Sequence, residues 1–238
     1  MKDILRIMRF DYLTARPVAF KETIFTFVLF GALSLFFSPI IITYTTFAAL
    51  IFVIPLQNVA AKSGFHKLYG ILPVERKSIT RGRFLYIFTL HFAFQLIEFA
   101  IMGLSFALGL NRLLPNQDSA AMQMVQESFA DKPLAIKMVF GMFAFVCILF
   151  SYMEMMGQIF GRENEMKIIM LTLAVITVIG FAFAFLSEHD IIPAVALPEL
   201  PQTVGGSILL GIAVDLVTLG LCLMFGEITA KKLAVREL

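Results

Sequence analysis

Three stripes of polar residues interrupt an otherwise apolar sequence, and their spacing is helical. His91, Gln95 and Glu98 recur at i, i+4 and i+7, so on a helix they share one face. Cys147, Ser151, Glu154 and Gln158 form a second stripe, and Ser207, Gly211, Asp215, Thr218 and Cys222 a third. Such groups can meet a cationic or amphipathic solute, couple to proton movement, or tie helices together by hydrogen bonds. Other chemistries lack their residues. The three His (66, 91, 189) lie far apart and no HExxH motif occurs, so no metal site is expected. No GxSxG elbow offers a nucleophile. Gly64 and Gly70 have the glycine spacing of a phosphate loop but continue into Ile71-Leu72 instead of Lys-Ser/Thr. The chain is therefore not expected to be an enzyme or to hold a cofactor, and hydrolysis of ATP is not expected from it alone.

The elements that carry these stripes are read from composition. Of 238 residues, 59% are hydrophobic and 15% charged, with 26 Phe and no Trp. Soluble domains carry about 25% charged residues, so this chain lacks the polar surface of a water-facing globule. Two Cys, both inside apolar runs, exclude a disulfide scaffold. A membrane span takes about 20 mostly apolar residues. The run 23–61 is long enough for two, divided at Ser38-Pro39, and further runs at 84–110, 136–160, 167–187 and 204–226 bring the expected spans to six. The expected fold is an all-α, polytopic, single transmembrane domain over 1–238.

Lys and Arg are retained on the cytoplasmic side. Of the 19 basic residues, only Arg112, Lys132 and Lys137 fall in the segments assigned outside. Both termini are thus expected in the cytoplasm. Basic residues flank the spans and form no aromatic-lined platform, so nucleic acid is not an expected partner. No cleaved signal sequence is apparent. Residues 1–20, with Ile4, Leu5, Met8 and Tyr12 near helical spacing among basic residues, suit a helix in the cytoplasmic interface. Outside, 111–135 shows a weak amphipathic period, and 188–203, broken by Pro193, Pro198 and Pro201, suits a re-entrant element in the outer leaflet.

Inside the spans, each acid needs an account. Glu98 stands about 21 Å along the helix from Phe84, near mid-bilayer, as does Asp215, whereas Glu154 is close to the cytoplasmic end. With no Lys or Arg inside these spans, His91 is the one expected partner of opposite charge. Two readings stand. Glu98, Asp215, Gln95, His91 and Glu154 line a translocation path, or they are hydrogen-bonded glue between helices with the acids neutral.

The cytoplasmic segment 62–83, KSGFHKLYGILPVERKSITRGR, places Phe65, Leu68, Tyr69, Leu72 and Val74 among six basic residues. A simple linker has no use for such a cluster, which suits a rigid knob that docks on another protein. Leu72-Pro73 is expected to end a helical turn, and Ser78 to cap the next helix. From Tyr69 to Leu85 the chain resembles the Y-x-x-L-P-V-x-R-x-x-I-x-x-x-(R/K)-(Y/F)-L signature of a bacterial subgroup of ABC-2-type transporter permeases. That subgroup includes exporter permeases for phenol-soluble modulins.

The resemblance implies a permease without ATPase activity, working as two permeases with two separate ABC ATPase subunits that bind the ATP and Mg. The second permease would be an identical or a paralogous chain. It further implies that 62–83 is a coupling element seated on the ATPase, with Phe65, Leu68, Tyr69, Leu72, Pro73, Val74 and Arg76 in or beside it. An amphipathic peptide or lipophilic compound would be exported across the bacterial cell membrane. The alternatives from the residues are a proton-coupled secondary transporter and a peptide-binding sensor or immunity protein.

Overall fold

The structure is a computed structural model that describes residues 2–49, 51–53, 75–110, 131–188 and 200–235. Among these, every regular element is helical. Helix α1 spans Lys2–Phe36, a 3₁₀ segment Pro39–Ala49, α2 Arg76–Leu108, α3 Lys132–Phe160, α4 Arg162–Glu188 and α5 Val204–Val235. Four stretches are long and apolar enough to cross a membrane: Ala19–Phe36, Lys77–Leu108, Lys132–Phe160 and Val204–Ala234. Pro39–Val53 and Lys167–Ile179 are apolar but shorter. An all-helical chain with four such helices suits a membrane protein.

Local chemistry sets the helix ends. Asp131 caps α3, its Oδ1 accepting from the Leu134 amide at 2.8 Å, with Pro133 in the first turn where a missing N–H costs nothing. Gly109 ends α2 in the left-handed conformation (φ 56°), its amide bonded to the Ser105 carbonyl at 3.0 Å. Gly161, at φ 89°, breaks the chain between α3 and α4. Thr203 opens α5, its Oγ1 accepting from the Gly206 amide at 3.1 Å. Ser78 does not cap α2 as expected. The helix starts at Arg76 behind Glu75, which gives it no side-chain cap.

Helix α1 is one continuous rod of about 52 Å that runs through Pro17. The expected interfacial stretch is thus collinear with the first apolar run. Its buried residues Ile7, Asp11, Ala15 and Ala19 follow one face, and that face lies on α2 and the segment after the 3₁₀ element. Paired contacts give the directions. Ile7 lies against Gly82, where a Cβ would stand 3.0 Å away, and the Ser105 hydroxyl donates to the Ser34 carbonyl at 2.7 Å. Helices α1 and α2 are therefore parallel. The 3₁₀ segment returns antiparallel to both, with Thr45 beside Glu98, then Phe52 beside Tyr12 and Phe94.

Helix α3 runs against α2, since Arg83 meets Glu154 and Phe99 meets Phe140. Helix α5 is parallel to α3, with Phe140 on Gly211, Cys147 by Cys222, and Tyr152 on Phe225. Gly211 is required there, because a Cβ would overlap the Phe140 ring. Three apolar clusters fill the bundle, centred on Phe52 and Phe94, on Phe143 and Phe150, and on Ile42 and Val139. Helix α4 packs mainly on α3 and exposes Leu171, Ile176, Val178 and Phe181.

Candidate functional site

The polar stripes gather on the inner faces of α2, α3 and α5, at two levels. At the level of the α2 start, Arg83 and Glu154 form an ion pair (Nε to Oε1, 2.6 Å) with side chains only 2% and 1% exposed. Gln158 Nε2 donates to the same Oε1 at 2.7 Å, one helical turn along α3. This corrects the expectation that His91 is the one partner of opposite charge for the acids. Arg83 stands one residue before the apolar run, yet α2 already is helical there and carries the guanidinium inward. Glu154 is thereby held by a counterion. Just outside this pair, Arg81 and Lys77 reach the part-exposed Glu227 of α5, Arg81 in direct contact and Lys77 at 3.8 Å.

Halfway along the bundle the acids have neutral partners. Glu98 is fully buried, and its Oε1 accepts from both Thr45 Oγ1 at 2.6 Å and Thr46 Oγ1 at 2.7 Å. These donors sit on the 3₁₀ segment. Its tighter winding suits them, because Thr43 bonds the carbonyl three residues back and the single Thr45 proton is shared between Glu98 and the Ile42 carbonyl. Thr45 and Thr46 were not among the expected site residues, although two adjacent hydroxyls in an apolar run were a visible signal. Asp215 is half-buried, and Gln95 Nε2 donates to its Oδ1 at 3.2 Å, joining α2 to α5. Among the described residues, His91 pairs with no acid. Its Nδ1 lies 2.7 Å from the Ile87 carbonyl, and its ring stacks on Phe150.

The second and third stripes meet each other. The sulfurs of Cys147 and Cys222 are 3.7 Å apart, both are free thiols, and Ser151 Oγ lies 3.2 Å from Cys222 Sγ. Hydroxyl, thiol and amide contacts of this kind are the usual polar cement between apolar helices. Among the described residues no group of three or more His, Cys, Asp or Glu is placed to hold a metal ion.

A cavity of about 330 Å³ opens between α2, α3 and α5. Gln95 and Asp215 are the polar residues of its wall, which is otherwise built by side chains such as Phe92, Phe99, Ile136 and Phe140. Glu98, Glu154 and His91 do not line it. Of the expected path residues, the structure thus brings Gln95 and Asp215 together at a cavity and seals the other three into helix contacts. Phe65, Leu68, Tyr69, Leu72, Pro73 and Val74 lie outside the described residues, as do 111–130 and 189–199. Arg76 is the first residue of α2. No known protein family, characterised protein or solved structure matches the chain.

Proposed function

We propose that the chain is the transmembrane subunit of an ABC exporter in a bacterial cell membrane. It moves an amphipathic peptide or lipophilic compound outward, driven by a separate ATPase that binds the ATP and Mg. Two permease copies, identical or paralogous, work with two ATPases. The observation that carries the reading is the stretch from Tyr69 to Leu85, whose residues resemble the permease signature and which runs directly into α2.

The geometry of the α2 start supports it. Arg83 and Arg81, both inside that stretch, tie this end to α3 and α5. A push on 62–75 would therefore reach three helices. Six spans are also supported, because Pro39–Val53 and α4 run in the alternating directions that spans two and five require. The end that gathers Lys2, Arg6, Arg9, Lys77 and Lys232 then faces the cytoplasm.

Replacing Tyr69 and Leu72 together by Asp tests the reading. The expected result is normal membrane insertion with loss of ATPase co-purification and of transport-linked ATP hydrolysis. Unchanged co-purification and hydrolysis in that double variant overturn the coupling role. Solute export by the chain with no ATPase present favours the proton-coupled alternative.

A further inference from the structure

We infer that the groove between α2, α3 and α5 is a binding site for a lipophilic monocation, with Asp215 as its counterion. The inference rests on reading the bundle as membrane-embedded, and it sharpens the substrate class of the proposed exporter.

Four observations converge on it. First, the cavity, at about 330 Å³, has the size of a small-molecule site. Second, it opens sideways. Leu96, Ile208 and Ile212 on its rim are 55%, 41% and 48% exposed, and all three are apolar, so the mouth meets acyl chains and not water. Third, the floor is apolar and largely aromatic. Phe140, Met102 and Ile136 are buried there, and Phe92 and Phe99 are part-buried.

Fourth, one acid stands in this wall without a countercharge. Asp215 has Gln95 as its hydrogen-bond partner, a neutral amide that orients the carboxylate and leaves its charge unbalanced. Among the described residues no Lys or Arg pairs with it, whereas the acids at the α2 start are paired with Arg83, Arg81 and Lys77. An ionised acid in such a setting is costly, and a visiting ammonium relieves that cost while its alkyl body fills the apolar space. A neutral lipophile gains only the second effect, and an anion is repelled. The rings of Phe92 and Phe99 in the lining give a cation aromatic surface to pack against.

Glu98 provides the internal contrast. It lies three residues from Gln95 on the same helix, but two threonine hydroxyls close over it and it does not reach the groove. Selectivity for charge therefore resides in Asp215 and not in Glu98.

The chain has no Trp, so Leu96→Trp places a single fluorophore on the rim of the groove. The purified full chain in phosphatidylcholine nanodiscs is titrated with ω-bromododecyl trimethylammonium and with ω-bromododecanol, which carry the same quenching bromine. Protein with Asp215 intact should be quenched by the cation at about tenfold lower concentration than by the alcohol. Asp215→Asn should abolish the difference, Asp215→Glu should keep it, and Glu98→Gln should leave it unchanged. Equal quenching by both probes with Asp215 present, or a preference that survives Asp215→Asn, overturns the site.

If Asp215→Asn alone fails to yield folded protein, the comparison of Asp215→Glu with Glu98→Gln still decides. Loss of preference in Glu98→Gln with its retention in Asp215→Glu gives the charge selectivity to Glu98 and sinks the assignment. No ATPase takes part in the titration. A failed site therefore leaves the coupling experiment standing, and a failed coupling experiment leaves the site standing.

Discussion

Two levels of the inward face of α2 treat acids in opposite ways. At the start of the helix, Glu154 is matched by Arg83 at 2.6 Å in a position closed to solvent. Midway along, Glu98 and Asp215 are met by hydroxyls and an amide. A counterion cancels charge and fixes geometry, so the first region behaves as a rivet. Neutral donors orient a carboxyl group without cancelling it, so the second region keeps a capacity to respond to an arriving charge. The two middle acids differ again in place, since of the two Asp215 lines the cavity and Glu98 does not.

The largest expected effect falls on the rivet. Arg83→Met leaves Glu154 as a buried, uncompensated charge and should cost about 3–5 kcal/mol of stability. Thermal unfolding in detergent should show a large drop, and Arg83→Met combined with Glu154→Leu should recover most of it. A single variant as stable as the parent protein would erase the contrast between the two levels.

A smaller effect is expected where α3 and α5 touch. Gly211→Ala puts a methyl group into the Phe140 ring, which lines the cavity and must shift. Overpacking of this kind costs about 1–3 kcal/mol. Introduced beside the Leu96→Trp reporter, it should lower thermal stability and weaken quenching of the indole by the cationic probe. Unaltered binding would separate the groove from the α3–α5 contact.

The smallest effect belongs to Glu98. Glu98→Leu removes its two threonine contacts, and interhelical hydrogen bonds in membranes are worth about 1 kcal/mol or less each. A modest loss of stability by the same unfolding measurement is expected. A loss as large as that of Arg83→Met would mean that Glu98 too is a rivet.

Much of this arrangement was legible in the residues themselves. The i, i+4, i+7 spacing of His91, Gln95 and Glu98 correctly put them on one helix face, and Ser38-Pro39 marked where α1 stops and the chain turns back. Partners were not legible, because periodicity says which face a residue occupies but not what lies opposite. Arg83 was assigned to a cytoplasmic loop because a hydropathy window ends where charge begins. The helix does not end there, and a guanidinium on its inner face reaches Glu154. Thr45 and Thr46 were overlooked for a related reason, since hydroxyls barely dent an apolar window yet supply both donors to Glu98. Asp215 was expected as an acid inside a span, but only the three-helix geometry separates it from Glu98.

The parallel packing of α1 on α2 has a consequence for how the molecule is made. Two helices that run the same way cannot close as a hairpin, and the Ser34–Ser105 bond joins residues 71 apart in sequence. Before α2 is made, the returning 3₁₀ segment and Phe52 can cover only part of the buried face of α1, and the part opposite Gly82 stays open until α2 has been added. The last partner of α1 to be synthesised is α2, so that contact is made after the 3₁₀ segment has turned back on α1.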